Sequence, residues 1–371
     1  DENVSLTIVG PEQPLVAGLV DRFQAEGLAC FGPTAVAAQL EGSKAFSKSF
    51  MQRHNIPTAR HEVFTDINAA TEHIRERGAP CVIKADGLAA GKGVVIADTV
   101  EDAIAAAQDM LVDNRFGDAS SRIVVEDFLA GEEASFIAIT DGTTLLSLAT
   151  SQDHKARDEG DKGPNTGGMG AYSPAPVVTP AVHQYVVDHV MQPTLDGLAK
   201  DGIDYCGFLY AGLMIDHDGQ ARVLEFNCRL GDPETQPIMR RLRTPLSDVC
   251  SAALDGTLTD IAVDWDPRTA LGVVLAAEGY PLSARTADPI NGIEAAQASP
   301  QTTVFHAGTA TNSDGQSIVS GGRVLCVTTL GDSVSHAAER AYAATKSISW
   351  PGMFYRRDIG YRAIERERRD D

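Results

Sequence analysis

The sequence predicts a multidomain protein of α/β and α+β class, and three observations carry that prediction. A chain of 371 residues with 43% hydrophobic content exceeds what one core usually organises, so roughly two to four domains are expected. The front of the chain alternates short apolar strands with an amphipathic helix, the rhythm of a parallel α/β layer. Further on, short strands, glycine turns and helices follow one another as in small α+β units.

In order, SLTIV at 5–9 forms a strand ending at Gly10-Pro11-Glu12, a helix is expected from Leu15 to Glu26, and CFGP at 30–33 closes a second strand. This rhythm begins abruptly, so the N-terminal α/β domain is expected to lack its front. A helix from Ser43 to His54 carries Lys44 in its first turn and is ended by Ile56-Pro57. Helix Ile67 to Arg77, strand Cys81 to Lys84, a glycine turn, strand Val94 to Ala97, helix Val100 to Leu111 and strand Arg122 to Phe128 make one α+β unit. Residues 135–150 read as two alternating strands joined at Asp141-Gly142. The stretch 151–176, SQDHKARDEGDKGPNTGGMGAYSPAP, has almost no apolar periodicity and reads as a long functional loop. A long helix from Pro180 to Ala199 and strands Gly207 to Asp216 and Arg222 to Asn227 follow. From Leu271 on, the strands LGVVLAA, TVFHAG and RVLCVTTL precede a helix from Ser333 to Ser347.

With 51 acidic and 31 basic residues the net charge is -20, which argues against a nucleic-acid or anionic-membrane partner. Any anionic ligand must be held by local cations and backbone amides. The six cysteines have no metal spacing and several lie in apolar runs, so buried reduced thiols are expected. No apolar run reaches the ~18 residues of a membrane span. A soluble cytoplasmic protein, monomeric or weakly dimeric, is the expectation. His154, His183 and His306 show no metal or triad spacing and read as structural or loop residues.

Two stretches carry chemistry. IKADGLAAGKGVVI, 83–96, is neither a Walker A loop nor a dinucleotide fingerprint: Gly87 and Gly91 enclose three residues, Gly93 stands where a hydroxyl is needed, and a strand follows where a helix should. It is a strand, a glycine turn and a strand, with Lys84 near the end of the first. In VLEFNCRLGDPETQP, 223–237, strand alternation puts Glu225 and Asn227 on one face and Leu224 and Phe226 on the other. That carboxylate and amide oxygen form a hard pair suited to Mg²⁺. Arg229, Asp232 and Glu234 follow at once. Lys44, Lys84 and the amides of Gly91 and Gly93 supply the positive charge a triphosphate needs. VVEDFLAGEEASF, 124–136, places Glu126, Asp127 and Glu133 around a strand end where main-chain groups can meet an adenine.

The order of these pieces resembles the ATP-grasp fold. Within it, GPE, QLEGSKAF, IKADGLAAGKGV, GEEASF, SQDHK, GPNTGGMGAYSP, EFNCRLGDPETQ and GGRVL together resemble the phosphoribosylamine–glycine ligase family, over nearly all of residues 5–367. Members of that family open with a strand and a glycine-rich turn carrying Arg-Glu-His, which this chain does not show. The resemblance implies ligation of glycine to 5-phosphoribosylamine through glycyl phosphate, with ATP and Mg²⁺ or Mn²⁺. It implies an N-terminal domain remainder at 1–42, a central ATP-grasp domain at 43–60 and 132–266, a lid at 61–131 and a small C-terminal α+β domain at 267–371. ATP would be bound by Lys44, Lys84, Gly91, Lys92, Gly93, Glu126, Asp127, Phe128, Leu129 and Glu133, and the metal by Glu225 and Asn227. Arg229 and Asp153 would act in catalysis. Glu12, Asp153, Lys155, Asn165, Thr166, Gly167, Gly168, Met169, Arg229, Asp232 and Glu234 would meet the other substrates. A formate- or bicarbonate-using ATP-grasp ligase, or a non-catalytic nucleotide-binding module, is the alternative.

Overall fold

The long strands Glu132–Thr140 and Gly207–Ile215 pair antiparallel along their whole length, and Ala221–Asn227 and Leu145–Ser147 flank them to complete a four-stranded sheet. Phe136, Ile137, Ala138 and Ile139 are all buried, so this strand is covered on both faces and does not alternate as expected. The computed structural model describes residues 3–89 and 93–370, which form two compact units. The first unit takes in the chain up to Leu148, Val177–Leu230 and Leu246–Ile261. The second takes in Ala149–Pro176, Gly231–Pro245 and the chain from Ala262.

In the first unit, the short strands Thr7–Ile8 and Cys30–Phe31 are parallel, as the opening rhythm predicts. The helix expected between them is broken into Glu12–Val16 and Leu19–Ala25. The break falls at Gly18, whose φ of 79° lies in the left-handed region a helix cannot continue through. The expected long helix runs as Pro180–Val186, a π-helical stretch Val187–Met191, and Gln192–Lys200. Pro193 has no N–H to offer the preceding turn, which accounts for the widened stretch just before it. A separate antiparallel sheet, in the order His61–Phe64, Ile123–Asp127, Cys81–Ala85, Val94–Ala97, has a core of its own with Ile67–Arg77 and Val100–Leu111.

The second unit is an antiparallel five-stranded sheet in the order Thr302–His306, Arg323–Gly331, Thr269–Ala276, Gly170–Ser173, Gln152–Asp153. Helix Val334–Thr345 packs on its core. Here the loop expected over 151–176 is corrected. It contributes two strands to the sheet and the irregular hairpin Ala156–Asp158 with Lys162–Asn165. Gly170, Ala171, Tyr172 and Ser173 are all buried, so there is no polar face to produce a period of two. Their partner strand lies a hundred residues away.

All six cysteines are free, and all but Cys206 are buried. Among the described residues, no helix is long and apolar enough to cross a membrane.

Candidate active site

Helix Lys44–Arg53 starts at Ser43, whose Oγ accepts the Phe46 N–H at 3.1 Å and donates to Asp86 Oδ1 at 2.9 Å. Asp86 follows the strand Cys81–Ala85. The same Oδ1 accepts the Ala45 N–H at 2.7 Å, the Asp86 carbonyl accepts the Lys44 N–H at 2.9 Å, and Oδ2 accepts Arg122 at 2.6 and 3.0 Å. One aspartate thus caps the helix and fixes the first leg of the glycine turn to it. Lys44 Nζ donates to the Gly87 carbonyl at 3.2 Å, so the lysine and the turn are brought together as expected. Gly93 directly precedes the return strand Val94–Ala97, its carbonyl accepting the Ala85 N–H at 2.8 Å; Gly91 and Lys92 lie outside the described residues.

Lys48 stands one helical turn after Lys44, on the same face, and is only 2% exposed. Its Nζ lies 2.9 Å from Glu126 Oε2 and donates to Thr58 Oγ1 at 2.7 Å, which donates to the Val223 carbonyl at 2.6 Å. Lys84 Nζ donates to Glu126 Oε2 and to the Leu224 carbonyl, both at 3.1 Å. Glu126 therefore sits between two ammonium groups rather than open to a ligand. Burial acts to raise its carboxyl, but Lys84 and Lys48 together hold it below the usual range. Burial pushes Lys48 down to about 8 against the pull of Glu126, and pushes Lys44 down against Glu225. Lys44, Lys48 and Lys84 thus gather beside Glu126, Glu225 and Asp86, three ammonium groups against three carboxylates. The spacing from Lys44 was the signal for Lys48; Asp86 left none.

The face assignment on Ala221–Asn227 needs a correction. Gly212 pairs with Glu225 and Leu213 with Val223, so Leu224 is an extra, bulged residue. Val223 and Phe226 both enter the core, and Glu225 and Asn227 keep a face in common. Gly212, opposite Glu225, brings no side chain against that carboxylate, and Asn227 is 7% exposed. A half-buried carboxylate and an amide oxygen on one face fit a small hard divalent cation.

Arg229 is more constrained than its sequence suggests. Its Nη2 lies 2.9 Å from Glu41 Oε1 and donates to Asn227 Oδ1 at 3.1 Å, while Nε stands 3.6 Å from Glu12 Oε2. Glu41, which sequence reasoning missed, also accepts the Cys228 N–H at 2.7 Å; burial raises its carboxyl against the opposing pull of Arg229. Asp127 receives Arg77 Nε at 2.7 Å and gives its N–H to Arg60, leaving Phe128, at 41% exposed, and half-buried Leu129 beyond the strand end. Glu133 is half-buried opposite Met214.

The second unit holds the remaining candidates. Asp153 pairs with Ala171 in the sheet, between Gln152, whose Oε1 accepts Tyr172 OH at 2.7 Å, and His154. His154 is buried, accepts the Gly360 N–H at Nε2, and is pushed by burial down to about 4, so it is a neutral structural imidazole as expected. Lys155 gives its carbonyl to Thr166 N–H and Oγ1 at 2.8 and 2.9 Å. Asn165 is exposed, and Gly168 N–H donates to Thr166 Oγ1 at 3.0 Å. Met169 is a core side chain, its N–H donates to the His154 carbonyl at 2.8 Å and its carbonyl accepts the Val274 N–H at 3.0 Å. Asp232 is engaged by Arg323, and Glu234 is buried beside Gly231.

Comparison with known proteins bears on all three parts of the chain. The N, ATP-grasp (A) and C domain models of phosphoribosylglycinamide synthetase match residues 1–41, 42–235 and 270–362. A phosphoribosylamine–glycine ligase of Xanthomonas campestris pv. campestris is 60% identical over 367 residues, covering 99% of this chain and 85% of that protein. The crystal structure of the Thermotoga maritima phosphoribosylamine–glycine ligase is 34% identical, with a TM-score of 0.84, covering 96% of this chain and 87% of that one. The biotin carboxylase domain of a Hydrogenobacter thermophilus 2-oxoglutarate carboxylase, solved with MgADP, ADP and bicarbonate, shares the fold alone, at 16% identity and a TM-score of 0.73 over 95% of this chain and 76% of that one. With 60% of residues shared along essentially its whole length and all three domain models matched, the chain belongs to the phosphoribosylglycinamide synthetase family.

Proposed function

We infer that this chain ligates glycine to 5-phosphoribosylamine at the expense of ATP, giving glycinamide ribonucleotide, ADP and phosphate. The observation that carries this reading is 60% identity, over 99% of the chain, to a phosphoribosylamine–glycine ligase. A formate- or bicarbonate-using ligase and a silent nucleotide-binding module are both disfavoured by it. A carboxylate is a poor electrophile, so the glycine oxygen first takes the γ-phosphoryl group and ADP leaves. The amine of phosphoribosylamine then attacks the acyl carbon, the bond to phosphate breaks, and the amine gives up a proton.

The chain's part is positioning and charge neutralisation. Lys44, Lys84 and the amides of the glycine turn, Gly91 to Gly93 with Lys92, hold the triphosphate. Glu225 and Asn227 hold Mg²⁺ or Mn²⁺, which when bound would neutralise charge on the phosphate oxygens. The main chain from Glu126 to Leu129 meets the adenine, and Glu133 the ribose. Arg229, set by Glu41 and Asn227, faces the transferred phosphoryl group or the carboxylate it leaves for. Asp153 pairs with the glycine ammonium; Lys155, Asn165 to Met169, Asp232 and Glu234 line the acceptor side, and Glu12 meets the phosphoribosyl hydroxyls. The ATP-grasp core would span 43–60 and 132–266, the lid 61–131 and the C-terminal domain 267–371, in a cytoplasmic monomer or weak dimer.

Phosphate release from MgATP with glycine and freshly made phosphoribosylamine tests the reading, against Glu225→Ala. Turnover should need both substrates and vanish in the variant while its circular dichroism stays native. ATP hydrolysis that neither substrate stimulates would sink it.

A further inference from the structure

The GGRVL stretch, 321–325, carries part of the resemblance but no step of the reaction above. Its Arg323 opens the strand Arg323–Gly331. Nη1 donates to the Gly167 carbonyl at 2.7 Å and to the Asp232 carbonyl and Oδ1, both at 3.1 Å, while Nη2 donates to Asp232 Oδ2 at 2.6 Å. The Gly167 N–H donates to the Tyr280 hydroxyl at 3.0 Å. Both ends of this glycine are therefore gripped by side chains more than a hundred residues away. A Cβ on Gly167 would stand 2.8 Å from Arg323 Cζ, so any larger residue there would push the guanidinium aside.

An exposed ion pair alone contributes little, with a usual worth of ~0–1 kcal/mol. This one differs because a single planar fork joins two separate segments and two of its acceptors are backbone carbonyls. Both segments, Asn165 to Met169 and Asp232 to Glu234, are those assigned to the acceptor side of the reaction. A lysine, a point charge without the fork, has no geometry to make the same set of bonds.

We propose that Arg323 is a positioning residue for the glycine substrate: by holding the Gly167 carbonyl and Asp232 in one fork it sets where the main chain of residues 165–169 stands when glycine binds. The proposal rests on the reading of that segment as substrate-binding. Arg323 touches no reacting atom; it acts through the segment it holds, and a misplacement there costs rate and affinity for glycine rather than for the nucleotide.

The test uses the full chain with Arg323→Met, Arg323→Lys and Tyr280→Phe, reading amide hydrogen exchange over 165–169 together with KM for glycine and for ATP. In both Arg323 variants exchange should speed up and KM for glycine rise roughly tenfold, with KM for ATP near its original value and no rescue by lysine. Tyr280→Phe, which removes one acceptor and no charge, should shift both readouts in the same direction by less, and keeps the test open should an Arg323 variant fold poorly. Unchanged exchange in all three variants overturns the clamp. Faster exchange without a change in KM for glycine leaves the clamp standing but overturns the substrate reading of 165–169, and the proposal with it. Equal rises in both KM values, or rescue by lysine, reduce Arg323 to a general structural charge and also overturn it.

Discussion

At Lys48 burial and charge oppose one another. Burial lowers the ammonium from 10.5 to about 8, while Glu126 at 2.9 Å favours the charged form. Below pH 8 folded and unfolded chains both carry the proton, and the penalty for burying it is present in full. Between about 8 and 10.5 the folded chain has released it and the unfolded chain has not, so unfolding takes up a proton and stability rises with pH. At ~1.4 kcal/mol per unit this is on the order of 3 kcal/mol. Lys48→Met removes the term. Urea unfolding across that window should show the advantage of the original chain over Lys48→Met growing as pH rises; a constant difference would mean that Lys48 titrates as in the unfolded chain.

Among elements, the N-terminus of helix Lys44–Arg53 is where that helix is joined to the glycine turn. Asp86 provides that junction, accepting Ser43 Oγ, the Ala45 N–H and, through its carbonyl, the Lys44 N–H. Asp86→Ala removes the side-chain bonds, and loss of a cap typically costs ~0.5–2 kcal/mol. The same change frees the turn that Lys44 reaches at Gly87. We expect a fall of that size in urea-unfolding free energy and a higher KM for ATP, with KM for glycine unchanged. Lower stability with KM for ATP intact would confine Asp86 to the helix. The bulge at Leu224 is a second element-scale device: the displaced carbonyl accepts Lys84, so the strand that presents Glu225 is tied to the lysine of the turn.

On the scale of the whole molecule, an acidic chain of net charge -20 gathers Lys44, Lys48 and Lys84 around Glu126, the place proposed above for the triphosphate. A ligand that binds only the folded chain raises its stability, by ~2.7 kcal/mol at about 100 times Kd. MgADP should therefore raise the melting temperature, and EDTA should remove most of that rise by taking the divalent cation from Glu225 and Asn227. In Glu225→Ala the nucleotide should give the smaller, EDTA-insensitive shift of binding through the lysines alone. A full shift in the presence of EDTA would show that the cation plays no part in nucleotide binding.

Length, periodicity and turn residues were enough to place most helices and strands, because those signals are local: Lys44–Arg53, Ile67–Arg77, Val100–Leu111 and Val334–Thr345 each follow from spacing and caps. The motif order from Lys44 to Asn227 was enough to point to the fold and the reaction. What failed was whatever depended on a distant partner. Gly170–Ser173 looked like loop because a strand buried on both faces shows no alternation, and its pairing with Thr269–Ala276 lies outside any local window. Nor does any local window show that folding sets the Glu126 carboxylate between Lys48 and Lys84, or that Arg323, 91 residues on, holds Asp232. The side-chain types are written in the sequence; which of them neutralise one another is decided by tertiary packing, because a buried charge must find its partner wherever the fold brings one near.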